Sequence, residues 1–399
     1  MVSTATHLVD EVIPEVPVRQ WVLSLPIPLR YLLASHPEHL SPMLTVVHRA
    51  ISGWLIKKAG FKRPEAQAGG VTFVQRFGSA LNLNIHFHCL VLDGVYTGGE
   101  QLVFHRVAAP TLAELNPLLE RIVKRVLRLL TRLGVLVEEQ GQTFLDGERE
   151  EGALSTLQAA ATSYRIGIGP SRGKKVLTLR TVEADEGRGS ERCVQSNGFS
   201  LHAQVSCEAN DRKKLERLCR YVARPAMANE RLKLSDCGQV VLTLKTPFRD
   251  GTTHLVMSPL ELLQRLAALV PRPRLNLIRY HGVLAPNAKW RSQVVPAQTD
   301  SETLSPAETE VSEIDPLASS GEKKGVGRYI SWSRLLRRVF DLDMEACPNC
   351  GGSVKIIAAI EDPAVIKKIL NHLGLSPHPP PRTPARYDAY DEADLYATY

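Results

Sequence analysis

No stretch of the 399-residue chain offers eighteen consecutive apolar residues, so no transmembrane helix is expected. The opening MVSTATHLVDEVIPEV has no basic start followed by an apolar core; a secretory leader is not expected, and the cytoplasm is the expected compartment. The seven cysteines are odd in number and scattered, which argues against a disulfide framework and for a reducing environment. The glycine-containing IGIGPSRGKK lacks the spacing of a phosphate-binding loop, so ATP hydrolysis is not expected. No internal repeat is present, which removes solenoids and propellers.

Charge of one sign is also missing from one segment. Between Arg291 and Lys323 there are seven acids and no Lys or Arg, while the whole chain carries a formal +7; the rest of the chain therefore carries twice that positive excess. A strongly basic body predicts a polyanionic partner, and nucleic acid is the leading one. The acidic segment is rich in Pro, Ser and Thr without an apolar face, as a disordered linker would be. It divides the chain. Residues 1–70 read as an N-terminal strand and helix, 71–235 as a core, 236–295 as a basic extension, 296–325 as the linker, 326–376 as a small module with a Cys-x-x-Cys, and 377–399 as a disordered tail.

Ahead of the linker, period-2 and period-3.6 patterns alternate. Strands are predicted at Arg19 to Pro26, Gly70 to Gly78, Leu83 to Leu92 and Phe199 to Cys207, and a hairpin from Gln239 to Ser258. Helices are predicted over Leu44 to Lys58, over Leu112 to Gly134 with a basic face, and over Asp211 to Arg224. Adjacent strands with interspersed helices give an α+β fold, helices packed on an antiparallel sheet.

Two constellations carry chemistry. In LNIHFHCLVL, Ile85, Phe87, Cys89 and Val91 face one way as a core side. His86 and His88 then stand side by side on the other face, with Asn84 beside them, spaced to bind one cation. In NDRKKLERLCRYVARP, Leu215, Leu218, Cys219 and Val222 form the apolar stripe of a helix that Pro225 ends. Tyr221 lies off that stripe, on a flank shared with Lys214, Arg217 and Arg224.

A strand-borne His-hydrophobic-His followed by a helix with a tyrosine among basic residues resembles the HUH endonucleases: relaxases, rolling-circle replication initiators and single-strand transposases. More closely, VTFVQRFGSALNLNIHFHCLVLDGVY, FSLHAQVSCEANDRKKLERLCRYVARP, IRYHGVLAPNAK and SRLLRRVFDLDMEACPNCGG, among other phrases spanning residues 6 to 375, resemble the rolling-circle transposases of bacterial insertion sequences. Two-tyrosine members carry a tyrosine four residues before the one matching Tyr221; here Arg217 stands there, as in a single-tyrosine branch. Relatives also carry a Cys-rich zinc ribbon ahead of the segment matching Thr6 onward, whereas the first cysteine here is Cys89. The expectation is a chain without that ribbon.

The resemblance implies an HUH-type sheet and a metal-dependent tyrosine endonuclease and strand transferase. Tyr221 would attack a phosphodiester of single-stranded DNA at an element end, leaving a 5′-phosphotyrosine and a free 3′-OH. A phenol of ordinary pKa near 10 is only about 0.1% ionised at pH 7, so it needs neighbouring positive charge. His86 and His88 would hold Mg²⁺ or Mn²⁺. Gln75, eleven residues before His86 where relaxases place a histidine, is the first choice of third ligand, and His202 is the alternative. Lys214, Arg217, Arg224, Arg279, Tyr280 and Lys289 would contact DNA by charge and stacking. Cys347 and Cys350 have knuckle spacing for zinc, with His372 as a further donor, but no second cysteine pair completes a four-ligand site. Two other readings share these residues: a nickase of replication or conjugation, and a DNA-binding remnant without catalysis.

Overall fold

In a computed structural model of the chain, the described residues are 2–99, 101–139, 142–145, 152–182, 193–248, 250–296, 332–340, 343–347, 350–354, 360, 362–374 and 376. The acidic-linker and tail expectations fall almost wholly outside them. His7–Ala297 forms one compact unit. Its centre is a seven-stranded antiparallel sheet in which Cys193–Ser196, Phe199–His202, Val18–Ser24, Leu83–Leu92, Gly69–Phe77 and Ile278–Gly282 lie side by side in that order, and Ser206–Cys207 also pairs with Val18–Ser24. The fold class is α+β, as the alternating patterns predict.

Leu83–Leu92 lies inside the sheet, between Val18–Ser24 and Gly69–Phe77. Alternation sends Ile85, Phe87, Cys89 and Val91 into a core that also takes Trp21, Leu23 and Val74. That core is closed by helices Leu40–Lys58 and Leu112–Arg132, whose buried residues include Leu44, Val47, Ile51, Leu115, Leu119, Ile122 and Val126. Helix Leu112–Arg132 begins at a capping box, with the Thr111 backbone N–H donating to Glu114 Oε2 at 2.8 Å, and ends before Gly134, whose φ of +71° suits a residue without Cβ.

The other face of the sheet is buried too. Asn84, His86 and His88 are each 4% exposed or less, and this departs from an alternation read as core against open face. Helix Arg212–Val222 packs beside Ser206–Cys207 and the turn Leu8–Val12. Arg212 donates from Nη1 to the Pro14 carbonyl at 3.0 Å and from Nη2 to the Val9 and Ile13 carbonyls, satisfying backbone acceptors at the end of that turn.

The predicted strand Phe199 to Cys207 is two strands with a break at 203–205. The cause is Arg19. Buried on Val18–Ser24, it forms a two-pronged pair with Asp93 (Nε to Oδ1 3.0 Å, Nη2 to Oδ2 2.7 Å) and uses Nη1 on the Ala203 carbonyl at 3.0 Å. The carbonyl at 203 thus turns to the guanidinium instead of continuing a ladder. Val240–Thr243 and Thr252–Met257 pair as the expected hairpin, inside a four-stranded sheet with Leu232–Leu234 and Leu177–Arg180. Gly282, at φ +59°, closes the edge strand where a Cβ would fall on the Ala68 carbonyl oxygen, so only glycine fits.

C-terminal to residue 331, helices Trp332–Phe340 and Pro363–His372 and a turn at Cys347 are described. In that turn Gly351 N–H donates to the Cys347 carbonyl and Cys347 N–H to the Gly352 carbonyl, each at 2.8 Å.

Candidate active site

The two histidines meet at one point because they share a strand face and their Nδ1 atoms are anchored. His86 Nδ1 lies 2.9 Å from the Asn84 carbonyl oxygen, which can only accept; Nδ1 therefore carries the proton, and Nε2 offers a lone pair. His88 Nδ1 lies 2.6 Å from the Gln20 side-chain amide nitrogen. The two Nε2 atoms are 3.0 Å apart. Donation from Gln20 to His88 Nδ1, from His88 Nε2–H to His86 Nε2, and from His86 Nδ1–H to the Asn84 carbonyl makes one consistent chain.

Both imidazoles are held neutral. Burial pushes the His86 pKa down to about 4, with the positive charges of Arg30 and Arg224 adding to the effect against the hydrogen bond to Asn84. Burial pushes His88 well below its ordinary value as well, followed by His86, Arg224 and His202. Neutral imidazole is the form that binds a metal.

Tyr221 reaches the pair from the helix above. Its helix starts at Asp211, whose carboxylate accepts from the Lys214 N–H at 3.0 Å, and buries Leu215, Leu218, Cys219 and Val222 as the stripe predicts. The Tyr221 ring stands edge-on to His88, centroids 6.4 Å apart. Arg224 lies over the phenol ring at 4.4 Å and Lys245 at 5.7 Å. The tyrosine, the two histidines and Arg224 are thus one cluster.

Gln75 belongs to it as well. It pairs directly with His86 across the strands, and its Nε2 donates to the Val222 carbonyl at 2.8 Å, which ties the histidine strand to the residue after Tyr221 and leaves the amide oxygen as the atom for a ligand role. His202 shares the face, but Val22 stands between it and His88, and its Nε2 lies 3.3 Å from Gln204 Oε1. Among the described residues no group of three or more His, Cys, Asp or Glu side chains is placed to hold a metal ion. The donor set here is two imidazoles and amides: Gln75, and Asn84, whose Oδ1 is buried without a hydrogen-bond partner.

The remaining sequence-predicted residues are spread wider. Lys214 and Arg217 lie on the Tyr221 helix. Tyr280, paired with Val71, is on the histidine face at the sheet edge, with Arg291 5.9 Å over its ring; Arg279, paired with Thr72, is on the opposite face. Lys289 sits exposed beyond that edge strand. Cys347 and Cys350 share a turn without a third described ligand.

Gln20, Arg30 and Lys245 carry no local signal and were not expected. They reach the site only through the fold.

A family model described as "Putative transposase" matches residues 69–292, more than half of the chain. The chain belongs to this transposase family. No curated protein matches it. Nor does any solved structure. The matched span holds Gln75, His86, His88, Tyr221, Arg224 and Lys245, and leaves out Gln20 and Arg30. Among the described residues, no helix of the transposase is long and apolar enough to cross a membrane.

Proposed function

We propose that this transposase cuts one DNA strand through a covalent 5′-phosphotyrosine at Tyr221 and passes that strand to a free 3′-OH, as rolling-circle transposases of the single-tyrosine type do. The observation that carries the reading is the convergence of His86 Nε2 and His88 Nε2, 3.0 Å apart, beside the Tyr221 ring. Two adjacent donors of an octahedral ion with ligand distances near 2.1 Å are about 3.0 Å apart, so the imidazole pair already has the spacing for Mg²⁺ or Mn²⁺, and both nitrogens would donate once the His88 proton moves from Nε2 to Nδ1. The Asn84 oxygen, orphaned and buried on the same face, suits a hard cation or its water.

His86, His88 and the Gln75 oxygen would hold the ion. When bound, it would neutralise and polarise the scissile phosphate. The chain's own groups do the rest. Arg224 and Lys245 place positive charge over the phenol, favouring its ionised form as it attacks. Gln75, through the Val222 carbonyl, fixes the helix end that carries the nucleophile. Attack forms the phosphotyrosine bond and releases a 3′-OH with its proton; because the new ester replaces the broken one, a second 3′-OH reverses the step without ATP.

Tyr221→Phe removes only the hydroxyl, so packing through Leu215, Leu218 and Val222 and affinity for single-stranded DNA persist while covalent product disappears. The test is a labelled single strand from an element end incubated with Mg²⁺ or Mn²⁺, with the SDS-resistant adduct mapped by peptide mass. An adduct at Tyr280, or one surviving in Tyr221→Phe, overturns the assignment.

A further inference from the structure

Helix Leu112–Arg132 presents to solvent a stripe that the proposed cutting chemistry does not use. Arg121, Lys124, Arg125, Arg128 and Arg132 follow one another at i, i+3, i+4, i+7 and i+11, on one flank of the helix. All are exposed except Arg125, which is half-buried. The opposite flank, Leu115, Leu118, Leu119, Ile122, Val123, Val126 and Leu130, is sunk in the core. Like charges at this spacing work against a helix, and a stripe that only kept the protein soluble would be expected to alternate signs. Of the two acids in the helix, Glu114 is committed to the capping box and to Lys58 at 2.7 Å, and Glu120 sits beside the first turn of the stripe. Among the described residues none of the five cations makes an ion pair or a side-chain hydrogen bond. Arg63, reaching over Gly53 of the neighbouring helix, adds a sixth charge: after burial, Arg121 and Arg63 are what lower the Arg125 pKa.

We infer that this stripe is a second DNA surface, one that grips the phosphate backbone of duplex DNA on the side of the sheet away from His86, His88 and Tyr221. The side follows from the packing: the helix closes the core lined by Ile85, Phe87 and Cys89, the face opposite the two histidines. From Arg121 to Arg132 the stripe advances eleven steps of the helix, about 16 Å at 1.5 Å each, a length over which a duplex passes roughly nine phosphates at one charge per 1.7 Å. The duplex is favoured over a single strand because helix Leu112–Arg132 has no aromatic residue. Single-strand surfaces add stacking platforms to charge, and here there is charge alone. Such a grip reads no sequence. It suits double-stranded DNA flanking the cut or receiving the strand, held while the other face works.

The inference rests on the transposase family and not on the Tyr221 chemistry, and the two fail separately. The test combines Arg121→Gln, Lys124→Gln, Arg128→Gln and Arg132→Gln in the full chain, all exposed positions where glutamine keeps helix propensity. Binding of a fluorescent duplex of arbitrary sequence, about 20 base pairs long, is titrated at several salt concentrations. The slope of log affinity against log salt should fall by about 3 to 4, at roughly 0.9 per lost phosphate contact, while adduct formation on a short single strand is unchanged. A control with the same charge change at exposed loop and strand positions, Arg172→Gln, Lys174→Gln, Lys175→Gln and Lys233→Gln, should lose less. An unchanged slope, a loss no greater than the control's, an equal loss on a single strand of the same length, or lost binding to anionic vesicles with duplex binding intact would each overturn it.

Discussion

Gln20 shows what a single side chain can decide at this site. With the Gln20 amide nitrogen toward His88, the His88 proton sits on Nε2, the atom a metal would need. Turning the amide so that its oxygen faces His88 moves the proton to Nδ1 and frees Nε2, with no net proton gained or lost. Partners of this kind commonly change metal affinity about 10- to 100-fold. Gln20→Leu should weaken Mn²⁺ binding by that order, measured by calorimetric titration, whereas Gln20→Glu, which still accepts from Nδ1–H, should retain it; equal affinity in Gln20→Leu and wild type would end the idea. Gln75→Ala should weaken Mn²⁺ binding more than His202→Ala, and the reverse ranking would hand the third ligand to His202.

A second buried histidine pair adds to His86 and His88 in setting behaviour in acid. His48 and His281 stack with centroids 4.6 Å apart. Burial, and then the partner His281, lowers the His48 pKa to about 3; burial, and then Arg279, lowers that of His281 to about 4. Unfolded, both would titrate near 6.5. Depressed histidine pKa values mean that the unfolded chain takes up protons first as pH falls, so stability is complete above about 6.5 and drains away toward about 4. The melting temperature should drop across that window, and His48→Gln should make the drop shallower. An unchanged slope would place the acid sensitivity elsewhere.

At the scale of elements, the sheet depends on strands that are distant in sequence being pinned in register. Arg19 and Asp93 are both about 4% exposed and join the start of one strand to the end of another and to the Ala203 break. Burial pushes the Asp93 carboxyl pKa up, and the Arg19 guanidinium opposes it. Removing one partner strands a buried charge, at a cost of about 3–5 kcal/mol. Asp93→Ala should show that loss in urea unfolding; a change below 1 kcal/mol, about the ceiling for an exposed pair, would mean that water reaches the guanidinium. The pair was not foreseen because nothing near Arg19 or Asp93 in sequence marks them as partners.

At the scale of the molecule, Gln20, Gln75, His86, His88, Tyr221, Arg224 and Lys245 all lie within the compact unit His7–Ala297. A chain ending at Ala297 should form the same Tyr221 adduct as the full chain under the assay above. Loss of the adduct in a folded shorter chain would assign the C-terminal module a share in cutting.

The sequence by itself determined the local parts: that Leu83–Leu92 is a strand with its histidines on one face, that Arg212–Val222 is a helix with Tyr221 off its apolar stripe, and that the chain outside one acidic segment is strongly basic. Those are properties of periodicity and composition, which neighbours along the chain settle. Tertiary structure alone decided which face is covered, that Gln75 reaches the Val222 carbonyl, and that Gln20, 68 residues from His88, and Lys245 stand at the same point as Tyr221. Contacts between strands and helices so far apart depend on register and on the packing of a whole sheet, and no window of sequence contains them.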